Sequence, residues 1–266
     1  MWIDSHCHVS ADEFAADRDA VLARTFASGV DALVAIGAGY GVDANAGAVA
    51  LAASDTRIFA TAGVHPHDAK LLDDAGRAKL RAWLADPRVV AVGECGLDYW
   101  YEHSPRAEQR AVFAEQVALA RELDLPVVIH VRDRGTDAYA ELLEIWRAEG
   151  GGALEGVLHC YTHDLPFAKR ALDLGLLVSF SGIVTFKTAE ALREVAAGLP
   201  LDSVLVETDA PLLAPQGHRG ERNEPALVSL VGACLARVRQ EPLERVATAT
   251  SANARRLFRL PAGGAA

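Results

Sequence analysis

Eight short runs rich in Val, Ile and Leu recur along the chain, and segments with apolar residues at helical spacing separate them; that alternation constrains the fold more than any other feature. The runs are Trp2–Asp4, Ala32–Ile36, Ile58–Val64, Val89–Gly93, Val127–His130, Gly156–His159, Leu176–Phe180 and Val204–Thr208. Nearly continuous apolar runs of this length read as strands buried on both faces. Between them, Val112, Val117 and Leu119 within Arg106–Leu123, and Tyr139, Leu142, Leu143 and Trp146 within Thr136–Glu149, mark amphipathic helices. Spread over 266 residues, eight units of about 33 residues suit an α/β protein with a (β/α)8 TIM barrel better than a six-stranded doubly wound sheet, which is the alternative.

With 51% hydrophobic residues the chain can fill one large core. Gly150–Gly152 falls where a turn between helix and strand is expected, and no long polar linker divides the chain. Residues 1–260 are therefore expected to form a single domain, and 261–266, Pro-Ala-Gly-Gly-Ala-Ala, a frayed tail. A net charge of −10 argues against an extended basic groove tracking a polyanion, although a local basic patch remains compatible with it. The four cysteines form no CxxC pair, which points to free thiols in a reducing, cytoplasmic setting. No apolar run reaches the roughly 20 residues of a membrane span, and Asp4 and His6 stand where a signal peptide would be basic or apolar. A monomer without membrane contact is the default expectation.

In a barrel, the C-terminal strand ends share one mouth, where catalytic groups collect. Here the ends carry Asp4-Ser5-His6-Cys7-His8, Gly93-Glu94-Cys95-Gly96-Leu97-Asp98, Ile129-His130, Leu158-His159 and Glu207-Thr208-Asp209. Side chains two apart on a strand share a face, so His6 and His8 can reach one ion. With Glu94, His130, His159 and Asp209 converging, the mouth is expected to hold one or two divalent ions, with Glu94 able to bridge them. Cys7, Cys95 and Cys160 each follow a candidate ligand by one residue and should point the other way, as small buried hydrophobes. Cys234, on a late helix, reads as core.

These segments, with Gly63-Val64-His65-Pro66-His67-Asp68, Ile129-His130-Val131-Arg132, His159-Cys160, Ser179–Lys187, Glu207-Thr208-Asp209-Ala210-Pro211, Arg222-Asn223-Glu224-Pro225 and Asn253–Phe258, resemble in order the signature blocks of the TatD-type metal-dependent hydrolases. The resemblance implies an amidohydrolase-like (β/α)8 barrel with a divalent metal site and a magnesium-dependent DNase activity, typically exonucleolytic. It implies that His6, His8, Glu94, His130, His159 and Asp209 are the metal ligands. Some relatives are described as D-aminoacyl-tRNA deacylases. One departure stands out: where the family usually continues its His-Cys-aromatic block with Ser or Thr and then Gly, this chain has Tyr161-Thr162-His163, a bulky titratable group near the mouth.

The leading functional expectation is a metal-dependent nuclease that removes nucleotides from an end of single-stranded DNA, or RNA, with a metal-activated water. Asp209, Glu94 and His65 form the expected catalytic set. Asp209 would both touch a metal and take the proton from the water, and His65 would donate a hydrogen bond to a phosphate, His67 being the weaker candidate. Glu207 is either a support behind a ligand histidine or an inner barrel residue. Arg132 shares a face with His130 and would grip phosphate, or pair with Asp133 or Glu94. His218, Arg219 and Arg222 within Gln216–Glu224 could make a local basic rim, with Arg222 as the substrate contact. One ring of Tyr99, Trp100 and Tyr101 could stack a base, and Tyr99 stands as that candidate. Ser104-Pro105 reads as a helix start with Ser as cap, and Asn223-Glu224-Pro225 reads similarly.

Two other functions compete. A water-activating metal also hydrolyses esters or amides, as in a D-aminoacyl-tRNA deacylase, and a binding protein could keep the site as a structural metal pocket, although the ligand set shows no gap. On metal identity, the family implies magnesium, while imidazole-rich ligation suits zinc or manganese as well.

Overall fold

In the computed structural model, which describes residues 1–135 and 137–262, all eight expected strands are present. They are β1 (Trp2–Cys7), β2 (Val30–Ala35), β3 (Ile58–Ala62), β4 (Val89–Asp98), β5 (Val127–Arg132), β6 (Gly156–Leu158), β7 (Leu176–Phe180) and β8 (Val204–Val206). They make one sheet in the order β1 to β8. Neighbours β3–β4, β4–β5, β5–β6 and β7–β8 run parallel. Helices α1 (Arg18–Ala27), α2 (Asn45–Ser54), α3 (Asp74–Leu84), α4 (Arg106–Leu123), α5 (Asp137–Gly150), α6 (Leu165–Leu172) and α7 (Glu190–Gly198) alternate with the strands, and α8 (Val228–Arg239) and α9 (Leu243–Leu257) follow β8. This is the (β/α)8 topology, with strands buried because helices cover them.

The described residues gather into two compact units. One comprises Met1–Val34, Cys160–Asp173 and the chain from Leu177 onward; the other comprises Ala35–His159 and Leu174–Leu176. In the first, the end of β1 meets the end of β8: the Asp209 N–H donates to the His6 carbonyl at 2.9 Å, and the His8 N–H to the Ala210 carbonyl at 2.7 Å. First and last strands are thus neighbours, as closure of a barrel requires. No helix among the described residues is long and apolar enough to cross a membrane. The tail expected at 261–266 lies outside the described residues from 263 on, as does Thr136.

In the second unit, helix side chains fix the strand ends. The buried stripe of α4 reads Gln109, Val112, Phe113, Gln116, Val117 and Ala120, the spacing of one helical face. Its two glutamines serve backbone at the strand ends: Val64 has left β3, and Asp98 still pairs with Arg132 of β5 on its other edge. Gln116 accepts from the Val64 N–H at 2.8 Å and donates to the Val64 carbonyl at 3.0 Å. Gln109 accepts from the Asp98 N–H at 2.7 Å and donates to the Asp98 carbonyl at 3.1 Å. Asn45 on α2 does the same for Gly63, at 2.9 Å each way. Buried peptide groups need such partners, and these three hold the segments that lead into His65 and Asp98.

The helix-start expectation at Ser104 is corrected. Pro105 occupies the cap position before Arg106, and the Ser104 hydroxyl instead donates to the His67 carbonyl at 2.7 Å and accepts from the Lys70 N–H at 3.1 Å. Asn223 is not a side-chain cap either; it donates to the carbonyls of Thr208 at 2.9 Å and Leu212 at 2.6 Å, closing the loop after β8.

Candidate metal centre

The first ligand set lies in the first unit. His6 Nε2 and His8 Nε2 are 3.4 Å apart, and each is 3.5 Å from Asp209 Oδ1. All three residues are buried. The sequence arranges this locally. Asp4, buried two residues before His6, accepts from the N–H groups of His6 at 3.2 Å and Thr208 at 3.0 Å and from the Thr208 hydroxyl at 2.6 Å. Asp209 itself sits at φ 58°, in the left-handed region that Asp tolerates better than most residues.

The second set lies in the second unit and depends on a break in pairing. Gly93 pairs with Val128 and Cys95 with Ile129, so Glu94 is an extra residue, a bulge of the kind that re-aims a side chain. Gly93 and Gly96, at φ 135° and 142°, bring β4 so close to β5 that a Cβ on Gly96 would overlap the His130 carbonyl. Glu94 Oε1 then lies 2.7 Å from His159 Nε2, 3.0 Å from His130 Nδ1 and 3.5 Å from His65 Nε2. His130 Nδ1 is 3.3 Å from His159 Nε2.

Asp98 accounts for the pose of His130. Its Oδ2 receives the Nε2 atoms of His130 at 3.1 Å and His67 at 3.0 Å, and its Oδ1 receives the N–H groups of Trp100 at 3.0 Å and Tyr101 at 2.8 Å. Since a carboxylate only accepts, the Asp98 bond keeps a proton on His130 Nε2, and Nδ1 is the atom turned toward Glu94 and His159, free to ligate once an ion replaces any proton it shares with Glu94. A carboxylate behind a ligating histidine is a common support of metal sites. The sequence reading placed Asp98 at a strand end but gave it no role. Its spacing, four residues past Glu94 through a glycine, is the only local hint.

The electrostatics follow. Burial alone would raise the Glu94 carboxyl, but His159, His65 and His130 outweigh it and hold it well below the usual carboxylate range. Burial also opposes a proton on His130, yet Asp98 and Glu94 raise it above its ordinary value. Asp98 is held low, because bonds from His130 and His67 outweigh its burial. His65 goes the other way: burial, only partly offset by Glu94, lowers it to about 4. Its Nδ1 accepts the His67 N–H at 3.2 Å, so neutral His65 has its proton on Nε2.

The other predicted residues separate. Glu207 is buried, and its Oε1 accepts the N–H of Cys160 at 2.7 Å, the residue after His159, whose φ is 44°. Arg132 pairs with neither Asp133 nor Glu94; its guanidinium lies over the rings of Trp100 at 5.1 Å and Tyr101 at 5.0 Å. Tyr99 is corrected as a stacking candidate. It is buried, and its hydroxyl donates to Glu141 at 2.6 Å; the exposed rings are Trp100 and Tyr101. Arg222, expected as a substrate contact, gives both its terminal nitrogens to Asp17, at 2.7–2.8 Å. His218 of the expected basic rim is paired with Glu221 at 2.8 Å. His163 turns its Nδ1 to the Asp164 N–H at 2.8 Å and its ring toward Phe167. Cys7, Cys95 and Cys234 are buried thiols directed at the carbonyls of Val34, Val128 and Val184, whereas Cys160 is partly exposed.

The donor set fits divalent ions. In each set, nitrogen lone pairs and carboxylate oxygens crowd together, a contact that only a proton or metal cation between them makes favourable. Ligands held about 2.1 Å from one ion stand about 3.4 Å apart at tetrahedral angles and about 3.0 Å apart at right angles. The His6–His8–Asp209 edges of 3.4–3.5 Å match the former. The Glu94–His130–His159 edges of 2.7–3.3 Å bracket the latter.

Residues 3–259 match the family model described as TatD related DNase. The chain belongs to the TatD family. Among family relatives, the uncharacterized metal-dependent hydrolase YabD of Bacillus subtilis is 36% identical over 260 residues, covering 98% of this chain and all of that one. The 3'-5' ssDNA/RNA exonuclease TatD of Cronobacter turicensis is 37% identical over 260 residues, covering 96% and 97%. The crystal structure of YJJV, a TatD homologue from Escherichia coli K12, superposes with a TM-score of 0.90 at 32% identity, covering 98% of each chain. This TatD-family protein is therefore a metal-dependent hydrolase with the (β/α)8 fold.

Proposed function

We propose that this TatD-family hydrolase is a nuclease that cleaves phosphodiester bonds at an end of single-stranded DNA or RNA. The observation that carries the reading is the convergence of imidazole nitrogens and carboxylate oxygens in two ligand sets, His6–His8–Asp209 and Glu94–His130–His159, all buried except the partly exposed His130. Relatives 35–37% identical that are named 3'-5' ssDNA/RNA exonuclease TatD support the choice of substrate. The four free thiols suit a reducing compartment such as the cytoplasm.

Divalent ions held by either ligand set would polarise the phosphoryl oxygens and acidify the attacking water; magnesium, manganese and zinc are the candidates. Asp209 takes the proton of that water at its carboxylate. Its left-handed backbone and the Asp4 bonds to His6 and Thr208 fix it against the two imidazoles, so no reorientation precedes the transfer. His65 is neutral at pH 7, because burial holds it near 4. Its Nε2–H faces Glu94 at a long 3.5 Å, so a phosphoryl oxygen entering beside Glu94 can take it, and neutral His65 does not compete for the water's proton. Glu94 remains anionic among its histidines and keeps His159 and His130 in place. Glu207, by anchoring the Cys160 N–H, holds the peptide that follows His159.

The test is release of nucleotides from end-labelled single-stranded DNA by metal-stripped protein resupplied separately with magnesium, manganese and zinc. Stepwise shortening is expected, with Asp209→Asn slower by about 10²–10⁴-fold, the usual contribution of a general base. Turnover retained by that variant would remove Asp209 from the proton step. Wild-type protein inert with every ion would reject the nuclease reading and direct assays to carbonyl esters and amides, aminoacyl-tRNA first.

A further inference from the structure

We infer that Trp100, Tyr101 and Arg132, with Arg134 beside them, form a preorganised subsite for a nucleobase and its adjoining phosphate. The inference rests on the nuclease reading and specifies how the single strand is gripped.

Trp100 and Tyr101 follow closely on Asp98, the last residue of β4, and are 39% and 50% exposed. Adjacent exposed aromatics are a feature that binding surfaces keep and plain surfaces avoid. The arginines set this patch apart. The Arg132 guanidinium lies 5.1 Å from the Trp100 ring centre and 5.0 Å from that of Tyr101, and the Arg134 guanidinium lies 4.9 Å from Trp100. Neither arginine forms a salt bridge among the described residues. Nearby, Arg106 pairs with Glu102 at 2.6 Å and Arg110 with Glu141 at 3.1 Å. Asp133, between the two arginines in sequence, spends its oxygens on the N–H groups of Gly135 and Ala138 at the start of α5. On a chain of net charge −10, two guanidinium groups therefore rest on aromatic rings with their charge unneutralised. An apolar peptide would have no use for that charge, whereas a nucleotide supplies both a π-face and an anion.

The patch is also rigidly tied to the ligand set. Asp98 Oδ1 takes the N–H groups of Trp100 and Tyr101, while Oδ2 of the same carboxylate takes His130 Nε2. The Tyr101 ring continues inward through rings: it stacks on His103 at 5.6 Å with 7° between planes, and His103 meets His67 at 4.6 Å. A base stacked on this patch is held at a fixed offset from Glu94 and His130. Stacking does not read base identity, so the subsite favours unpaired strands of any sequence.

The experiment measures binding of a short phosphorothioate single strand to the 266-residue protein as purified, alongside an abasic strand of equal length, by fluorescence anisotropy. Wild type should bind the base-bearing strand at least ten-fold more tightly than the abasic one. Trp100→Ala with Tyr101→Ala should weaken the base-bearing strand about ten- to hundred-fold, Trp100→Phe should restore most of the loss, and the abasic strand should change little. Arg132→Ala with Arg134→Ala should weaken both strands and lower the slope of log K against log salt by about 0.7 for each phosphate no longer neutralised. Equal affinity of wild type for the two strands, or affinity unchanged in both double variants with melting midpoints intact, overturns the inference. Tight base-dependent binding by a protein that cleaves nothing would leave the subsite standing and reject the nuclease reading alone.

Discussion

Asp98→Asn is the perturbation that most directly tests how the second ligand set is built. The native carboxylate receives four donors: His130 Nε2 at 3.1 Å, His67 Nε2 at 3.0 Å, and the N–H groups of Trp100 at 3.0 Å and Tyr101 at 2.8 Å. An amide of nearly the same shape keeps one acceptor and turns the other into a donor. If the remaining oxygen stays on the two backbone N–H groups, the new NH2 faces two imidazole Nε2–H groups. His130 can relieve that clash by moving its proton to Nδ1, the atom 3.0 Å from Glu94 Oε1 and 3.3 Å from His159 Nε2. Protonated there, it can no longer ligate. The expected cost is the 10–100-fold in metal affinity typical of such supports, about 1.4–2.7 kcal/mol. Loss of charge-assisted bonds should also cost about 1.5–3 kcal/mol of stability, or roughly 3–12 °C in melting midpoint. The assay is chelator competition on metal-stripped protein, with the midpoint as fold control and His67→Ala as comparison. That variant removes one donor from Asp98 and leaves the His130 bond, so its affinity should stay within about three-fold of wild type. A folded Asp98→Asn protein that binds metal within two-fold of wild type would refute the tautomer argument.

His65 gives a pH signature in metal-free protein. Its folded value near 4 lies below the unfolded value of about 6.5, so its contribution is complete above 6.5 and lost as pH falls toward 4, a loss of about 3 kcal/mol. Chemical denaturation across pH 4–7 should show stability rising with pH, and His65→Gln should flatten that rise; an unchanged slope in the variant would show that another group carries it. Tyr99→Phe removes only the hydroxyl donated to Glu141, on a phenol that burial and Glu141 push up to about 12. It should cost about 1 kcal/mol of stability and leave single-strand affinity unchanged, so weakened binding in a stably folded Tyr99→Phe protein would restore Tyr99 as a substrate contact.

The strands were legible because continuous apolar runs have few readings in a parallel sheet, and the His6-x-His8 pair because period two is a property of the backbone. The end of β4 was not. Gly93 and Gly96 look like strand breakers, but here they keep β4 in contact with β5 as far as Asp98 and let Glu94 stand out as a bulge. Charge was hardest to place, because its partners are distant in sequence. Arg222 reads as a free cation until Asp17, some two hundred positions earlier, is found beside it, while Arg132, which reads as a phosphate contact or as half of an ion pair, rests on aromatic rings.

The glutamines of α4 show why the rest of the site escaped a reading by pattern. On a helical wheel Gln109 and Gln116 share the stripe of Val112, Phe113 and Val117, and periodicity alone treats them as flaws in an apolar face. Their partners are backbone groups of Val64 and Asp98, which lie just before His65 and at the root of the aromatic patch. A strand that must stop hydrogen-bonding to its neighbour in order to turn a side chain toward an ion leaves peptide groups unpaired in the core, and something must pair with them. A carboxamide suits the task because it gives and takes one hydrogen bond without bringing a charge near the carboxylates. Buried Gln or Asn on the inward stripe of a barrel helix is therefore a pointer to where the adjoining strands lose a neighbour, and in this chain those points lie just before His65 and at Asp98, whose other edge still pairs with Arg132.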